Sequence, residues 1–177
     1  MSFDELLHRR MRTIDNWPMQ GVQFRDIMPL LADPEGLRGC VSAMRGCMAL
    51  AGFDDIHAVA GIEARGFIIG SALAHDLGVG FVAIRKAGKL PGEVVAQAYE
   101  LEYGTATLEV QKDLVQVGAR VVLVDDVLAT GGTARAAAAL LDAVGAQVVG
   151  LITLLELAAL NGRDRLEGLP IESVRQI

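Results

Sequence analysis

The segment Val121-Val122-Leu123-Val124 constrains the fold most strongly, because it is apolar at four consecutive positions. A strand without polar alternation is typical of a parallel sheet that helices cover on both faces. Further apolar and helical patterns alternate along the chain in the order strand 56–60, helix 66–77, strand 80–84, strand 120–124, helix 133–144 and strand 147–155. This order predicts an α/β protein with a mostly parallel central sheet flanked by helices.

Residues 85–112 do not fit this alternation. They contain lysines, glycines and a proline, followed by a polar stretch with two tyrosines. A long insertion of this kind in a compact α/β domain is usually a lid or a binding loop. Its segments 99–103 and 107–110 could pair as a hairpin arm, so we predict a flexible loop or arm here.

Two helix starts are predicted before the first strand. Ser2 and Glu5 have the spacing of a capping box, which predicts a helix to about Arg12. Asp33 is followed by a proline and a glutamate, a pattern typical of an N-cap and a first helical turn. The second helix is expected to end near Gly52.

Composition and charge exclude several classes of function. The 177 residues are 52% apolar but only 5% aromatic, which suits one domain with an aliphatic core. The formal net charge of −6 argues against a broad DNA-binding face. The longest stretch without a charged residue, 143–155, is too short to span a bilayer. With no basic-then-apolar start, the default expectation is a cytoplasmic protein without nucleic-acid or membrane partners.

Cysteine and histidine spacing does not predict a structural metal site. Cys40 and Cys47 lie seven residues apart, which is neither a zinc spacing nor a disulfide framework. The three histidines are far apart in the sequence. We therefore interpret both cysteines as small apolar residues of a helix.

The segment from Val121 to Thr133 carries the clearest chemical signal. Asp125 and Asp126 follow the apolar strand, and a short loop of small, hydroxylated and glycine residues precedes a helix. Backbone amides in a glycine loop, together with a helix N-terminus, suit a phosphate dianion. The carboxylates would repel that phosphate, so they suit sugar hydroxyls or Mg²⁺ beside it. A sugar phosphate such as ribose 5-phosphate offers both groups, although a generic βα turn is the alternative.

Several motifs together resemble one known family. The segment 121–133 resembles the phosphoribosyl pyrophosphate signature of type I phosphoribosyltransferases. Four further segments resemble those of adenine phosphoribosyltransferases, in the same order and over nearly the whole chain: Gly21-Val22-Gln23-Phe24-Arg25-Asp26-Ile27, Gly61-Ile62-Glu63-Ala64-Arg65-Gly66-Phe67, residues 85–92 and Leu101-Glu102-Tyr103-Gly104. The resemblance implies a single domain over residues 1–177, with a base-binding hood at 1–33.

The resemblance implies that adenine and phosphoribosyl pyrophosphate give AMP and pyrophosphate with Mg²⁺ as cofactor. The ion would be held mainly through substrate oxygens, with no direct protein ligand. Asp125 and Asp126 would face the ribose hydroxyls and favour an oxocarbenium-like transition state. The 5-phosphate would be bound by Ala129, Thr130, Gly131, Gly132 and Thr133.

The same resemblance assigns the diphosphate and the base. Pyrophosphate would be bound by Glu63, Ala64, Arg65, Lys86 and Lys89, with a cis peptide expected at Glu63-Ala64. The lysines, and Arg65 at a helix start, could otherwise be ordinary surface residues. Adenine would be bound by Val22, Phe24, Arg25 and Leu157. Phe24 and Leu157 could instead be core residues, and Gln23 departs from the apolar residue common in the family.

The resemblance also places Glu102 as the acid–base group near the purine and Tyr103 as a residue that closes over the site. Glu100 is the rival carboxylate on the same strand. A homodimer is expected. A 6-oxopurine or xanthine phosphoribosyltransferase of the same fold is the alternative function, and a non-enzymatic sensor of phosphoribosyl pyrophosphate is a third hypothesis.

Overall fold

The computed structural model describes residues 2–100 and 104–177. It divides into two compact units, residues 1–43 and 44–177. Within the described residues, no helix combines the length and apolar character that crossing a bilayer requires.

Helix α1, Phe3–Arg10, begins where the sequence predicts. The Ser2 hydroxyl accepts a hydrogen bond from the Glu5 backbone N–H at 3.2 Å, and the Glu5 carboxylate accepts one from the Ser2 N–H at 2.7 Å. These two bonds form the expected capping box. The prediction of a helix to about Arg12 is confirmed to within two residues.

An antiparallel hairpin that the sequence analysis did not predict follows this helix. It pairs β1, Arg12–Asp15, with β2, Gln23–Asp26. The buried Asp26 carboxylate accepts hydrogen bonds from the Arg12 guanidinium and from the Met28 N–H, which begins the short helix α2, Met28–Leu31. The hairpin has no alternating apolar pattern because its β1 side chains are all exposed.

Helix α3, Pro34–Ala51, confirms the second predicted helix at both ends. The Asp33 carboxylate accepts hydrogen bonds from the N–H groups of Glu35 (2.9 Å) and Gly36 (3.2 Å), so it satisfies amides that would otherwise lack partners. Cys40 is buried on this helix and Cys47 is partly exposed, and both are free thiols.

The second unit is built on a seven-stranded sheet in the order β5-β6-β4-β3-β7-β8-β9. The strands are β3 Ala58–Ile62, β4 Gly80–Lys86, β5 Val94–Glu100, β6 Thr105–Gln111, β7 Arg120–Leu128, β8 Gln147–Glu156 and β9 Ile171–Gln176. The pairs among β4, β3, β7, β8 and β9 are parallel, and the hairpin β5–β6 adds antiparallel strands at one edge. The predicted α/β class with a mostly parallel sheet is confirmed.

Helices α4, Arg65–Leu77, and α5, Gly132–Ala143, connect the parallel strands. The side chains of Val121 to Val124 are fully buried, as the apolar run predicts for a central strand. Two 3-10 segments, Ala158–Leu160 and Gly162–Leu166, precede β9. The sequence pattern does not predict β9, because its exposed and half-buried residues are mostly polar.

Two predicted boundaries differ from the structure in ways that matter for the site. β7 continues to Leu128, so Asp125 and Asp126 lie within the strand and not after it. Residues 85–112 do contain the predicted hairpin, but its arms are longer than expected and begin at Val94. The sequence of β5 does not indicate the full length of this strand, because its apolar residues do not alternate strictly with polar ones and all of its residues are exposed or half-buried.

Candidate active site

The strand order reverses direction between β3 and β7. From β3 the chain passes through α4 to β4 on one side, and from β7 it passes through α5 to β8 on the other. In open α/β sheets, ligands bind outside the carboxyl ends of the strands at such a switch point. The two loops that resemble known motifs, at residues 61–66 and 129–133, follow these two strands.

The loop at 129–133 forms a cleft between β7 and α5. Gly131, the N-cap of α5, has φ +81°, a left-handed conformation that glycine adopts without strain. No side chain of the described residues caps α5, so its first amides are open to an anion. The cleft is lined by Asp125, Val127, Leu128, Ala129, Thr130, Gly131, Thr133, Ala134, Leu151 and Thr153. The predicted phosphate-binding residues therefore lie together, except that Gly132 is not part of the lining.

The 3-10 segment Gly162–Leu166 packs against this loop. A Cβ atom on Gly131 would overlap the carbonyl oxygen of Gly162, and one on Gly132 would lie 3.8 Å from Nη1 of Arg165. The exposed Arg165 is therefore a cation beside the loop that the sequence analysis missed. The only signal in the sequence was its place in the basic segment after Gly162.

The two neighbouring carboxylates of β7 have different surroundings. Asp126 is 5% exposed and its Oδ2 accepts a hydrogen bond from Nε of Arg65, which links the loop after β3 to β7. Asp125 lines the cleft, and its Oδ1 accepts a hydrogen bond from the Asp126 N–H at 2.9 Å. Burial and then the adjacent Asp126 charge raise the pKa of Asp125 well above its ordinary value.

The loop after β3 brings the other predicted anion-binding residues together. The Glu63–Ala64 peptide is cis, as the resemblance led us to expect. The Glu63 carboxylate accepts hydrogen bonds from Lys89 Nζ (2.5 Å), the Lys86 backbone N–H (3.0 Å) and Arg85 Nε (3.4 Å). Lys86 is an exposed residue at the end of β4. Lysines 86 and 89 therefore lie next to the 61–66 loop, although they are more than twenty residues away in the sequence.

The charge state of Glu63 follows from these contacts. Desolvation raises the pKa of this carboxyl, but the hydrogen bonds from Lys89 and the Lys86 backbone, together with the charges of Lys89 and Arg85, lower it overall. The carboxylate is thus held in its ionised form.

The predicted base-binding residues Val22, Phe24 and Arg25 lie in the first unit, at or next to β2. The rings of Phe24 and Trp17 pack edge to face with centroids 4.3 Å apart. Nη1 of Arg25 donates to the Thr13 hydroxyl across the hairpin. Val22 and Phe24 are both half-buried.

The remaining predicted residues lie along the second unit or outside the described residues. Leu157 follows β8 and is half-buried, and its N–H donates to the carbonyl of Leu128 at 2.9 Å. Glu100 is the exposed last residue of β5. Glu102 and Tyr103 lie outside the described residues.

Metal-ligand geometry gives no independent ion site in the part of the chain that the structure describes. No group of three His, Cys, Asp or Glu residues there could hold a metal ion. Asp125 is the acidic residue among those that line the cleft.

Comparisons with known proteins agree with this geometry. Residues 30–170 match the model of the phosphoribosyl transferase domain. The adenine phosphoribosyltransferase of Parvibaculum lavamentivorans is 52% identical over 91% of this chain and 90% of its own length. The structure of that from Thermoanaerobacter pseudethanolicus superposes with a TM-score of 0.94 and 42% identity, covering 99% of this chain and all of the other.

A third relative was solved with ligands. The Saccharomyces cerevisiae adenine phosphoribosyltransferase, complexed with an imino-altritol bisphosphate and adenine, has a TM-score of 0.93 and 36% identity over 98% of both chains. The fold, the two loops at the switch point and near-full-length similarity lead to the same conclusion: this chain belongs to the adenine phosphoribosyltransferase family of the type I phosphoribosyltransferases.

Proposed function

We propose that the chain transfers ribose 5-phosphate from phosphoribosyl pyrophosphate to adenine, giving AMP and pyrophosphate in purine salvage. The observation that carries this proposal is the pair of anion-binding loops at one switch point, in a chain whose relatives are adenine phosphoribosyltransferases. One loop offers uncapped amides and the other a group of cations, as a substrate with a phosphate at each end requires.

The 5-phosphate is assigned to residues 129–133. Its charge would be met by the amides at the start of α5 and by the hydroxyls of Thr130 and Thr133, which both line the cleft. Arg165 lies close enough to the loop to add a full positive charge on the outer side.

The ribose is assigned to the carboxylates of β7. When the bond from C1′ to the diphosphate breaks, positive charge develops on the sugar, and a preorganised negative charge beside it stabilises the transition state. Asp125 lines the cleft, and we assign it to accept hydrogen bonds from the ribose hydroxyls. Asp126 acts together with it and, through its ion pair, fixes Arg65 at the diphosphate end.

The diphosphate is assigned to residues 63–65 and to Lys86 and Lys89. Arg65 presents a guanidinium at the start of α4, and the lysines add charge from the end of β4. Mg²⁺ fits this arrangement as an ion held by diphosphate and ribose oxygens, where it would neutralise charge on the leaving group.

Adenine is assigned to Phe24, which would stack on the purine ring, with Val22, Arg25 and Leu157 around it. Glu102 is assigned as the group that accepts the purine N–H proton as the new C–N bond forms at C1′. Tyr103 is assigned to closure over the site. We also propose that the protein is cytoplasmic and forms a homodimer. Light scattering of the pure protein tests the homodimer.

Activity with separate bases tests the function. The purified chain is incubated with phosphoribosyl pyrophosphate, Mg²⁺ and one base at a time, and nucleotides are separated by chromatography. We expect AMP from adenine, and much lower product from hypoxanthine, guanine or xanthine. Preference for hypoxanthine or xanthine would support the alternative transferases, and no nucleotide from any base would refute the proposal.

A further inference from the structure

The arrangement around Glu63 raises a question that the proposed function leaves open, and the inference below rests on that function. A carboxylate lies in a loop assigned to an anion, where it should repel the diphosphate. Its two oxygens nevertheless accept hydrogen bonds from three groups that belong to the cationic end of the site. The carboxylate must therefore either compete with the ligand or organise the groups that bind it.

Exposure distinguishes these two roles. The Glu63 side chain is 10% exposed, whereas those of Lys89 and Arg85 are 46% and 34% exposed. The carboxylate thus lies beneath the cations, and the cations keep a solvent-facing side. An ammonium has three donors and a guanidinium five, so both can bind Glu63 and an external anion together.

The surrounding contacts show that Glu63 fixes a whole turn. Nη1 of Arg85 donates to the carbonyl oxygen of Lys89 at 3.2 Å, and its guanidinium lies 5.9 Å above the ring of Phe67. The Lys86 N–H donates to the same carboxylate oxygen as Arg85 Nε. Breaking these contacts would cost much free energy, because the buried, ionised carboxylate of Glu63 would be left without compensating charges.

We propose that Glu63 is a positioning residue: its carboxylate holds Lys89 and Arg85 with their free donors directed outwards to the diphosphate. The Glu63 carboxylate does not itself contact the ligand, which residues 63–65 bind through their backbone and the Arg65 guanidinium. Without this carboxylate, Lys89 is a flexible surface lysine, and its neighbour Arg85 repels it. The carboxylate thereby sets the affinity for the diphosphate group and has no role at the 5-phosphate.

A selective loss of diphosphate binding tests this role. In Glu63→Gln, the Michaelis constant for phosphoribosyl pyrophosphate and the inhibition constant of Mg-pyrophosphate should each rise about tenfold, as for loss of one charge-assisted contact. The dissociation constant of AMP, which has no diphosphate, should stay within about twofold. Glu93→Gln, which removes an ion pair between the exposed Glu93 and Lys112, is the matched control and should change neither constant.

Coupling to Lys89 separates positioning from a general structural effect. Lys89→Met should weaken pyrophosphate binding about as much, and the double variant should be no more than about threefold weaker than Lys89→Met alone. If the two single effects instead multiply, or if Glu63→Gln tightens pyrophosphate binding, the inference is wrong. Equal losses of AMP and pyrophosphate affinity would also overturn it.

Two further measurements keep the result interpretable. Wild-type conversion of adenine to AMP is measured first, because its absence refutes the proposed function and not the role of Glu63. Should Glu63→Gln fail to fold by circular dichroism, Glu63→Asp replaces it, since this variant keeps the charge but shortens the side chain. Loss of pyrophosphate binding with intact AMP binding supports positioning, and unchanged pyrophosphate binding refutes it.

Discussion

Substitution of Gly131 by alanine tests the geometry of the loop at 129–133. At φ +81°, a Cβ atom costs about 1–2 kcal/mol of backbone strain. The same atom would overlap the carbonyl oxygen of Gly162, and relieving such overpacking typically costs about 1–3 kcal/mol more. The free energy of unfolding should therefore fall by about 2–5 kcal/mol, measured by urea denaturation.

Displacement of the loop also moves the amides that are assigned to the 5-phosphate. Because misplacement by about 1 Å can cost about 100-fold in rate, kcat/KM for phosphoribosyl pyrophosphate should fall about 10- to 100-fold. The dissociation constant of AMP, measured by calorimetry, should rise at least about tenfold.

Gly78→Ala is the matched control for this prediction. Gly78 ends α4 at φ +71°, and nothing lies within 4 Å of the place that its Cβ would take. This variant should show the backbone cost alone, about 1–2 kcal/mol or roughly 2–8 °C in Tm, with normal AMP binding. If Gly131→Ala matches the control in both stability and AMP affinity, the assignment of the 5-phosphate to this loop is refuted.

Three further substitutions are expected to have distinct effects. Phe24→Ala should raise the Michaelis constant for adenine about tenfold or more in initial-rate assays, the scale of losing one aromatic–base stack, while that for phosphoribosyl pyrophosphate stays unchanged. Arg165→Gln should weaken AMP binding about fivefold in calorimetry through the loss of a cation near the phosphate, whereas the exposed Arg45→Gln should not. Arg163→Met removes the bidentate partner of the buried Glu156. Because Arg163 is itself partly exposed, the free energy of unfolding measured by urea denaturation should fall by about 2–3 kcal/mol. The Arg163 hydrogen bond lowers the pKa of Glu156, so the pair stabilises the fold above the ordinary pKa of this carboxyl, and that contribution is lost as pH falls through the lowered value. The variant should therefore lose less stability than the wild type on acidification, and an equal loss would contradict this reasoning.

Strand β7 and helices α1 and α3 were predictable from the sequence because their signals are local. The apolar run of β7 and the capping residues Ser2 and Asp33 each act within a few residues, so the sequence alone indicates them. β9 gave no such signal: it is an edge strand whose pairing with β8 depends on long-range folding, and only Ile171 of its residues is buried.

The candidate site was predictable in its residue types but not in its contacts. The loop at 129–133 is contiguous, and its glycine and threonine content indicated an anion site from the sequence. The pairing of Arg65 with Asp126 joins residues 61 positions apart, and only the parallel register of β3 on β7 brings them together. The neighbouring carboxylates looked equivalent in sequence, yet their environments differ because successive residues of a strand face opposite sides.

The different surroundings of Asp125 and Asp126 determine how the proposed reaction would use each of these adjacent acids. Arg65 forms an ion pair with the buried carboxylate of Asp126. Asp125 has a raised pKa because burial and the charge of Asp126 both disfavour its ionised form. A positive charge that develops on the ribose would favour the ionised form of Asp125, and by the same coupling the ionised carboxylate would stabilise that charge. The interaction is therefore strongest in the transition state, which is the condition for an increase in kcat rather than in substrate affinity alone. Asp125→Asn should accordingly lower kcat much more than it raises the Michaelis constant for phosphoribosyl pyrophosphate, and steady-state kinetics with a change in the Michaelis constant alone would contradict this account.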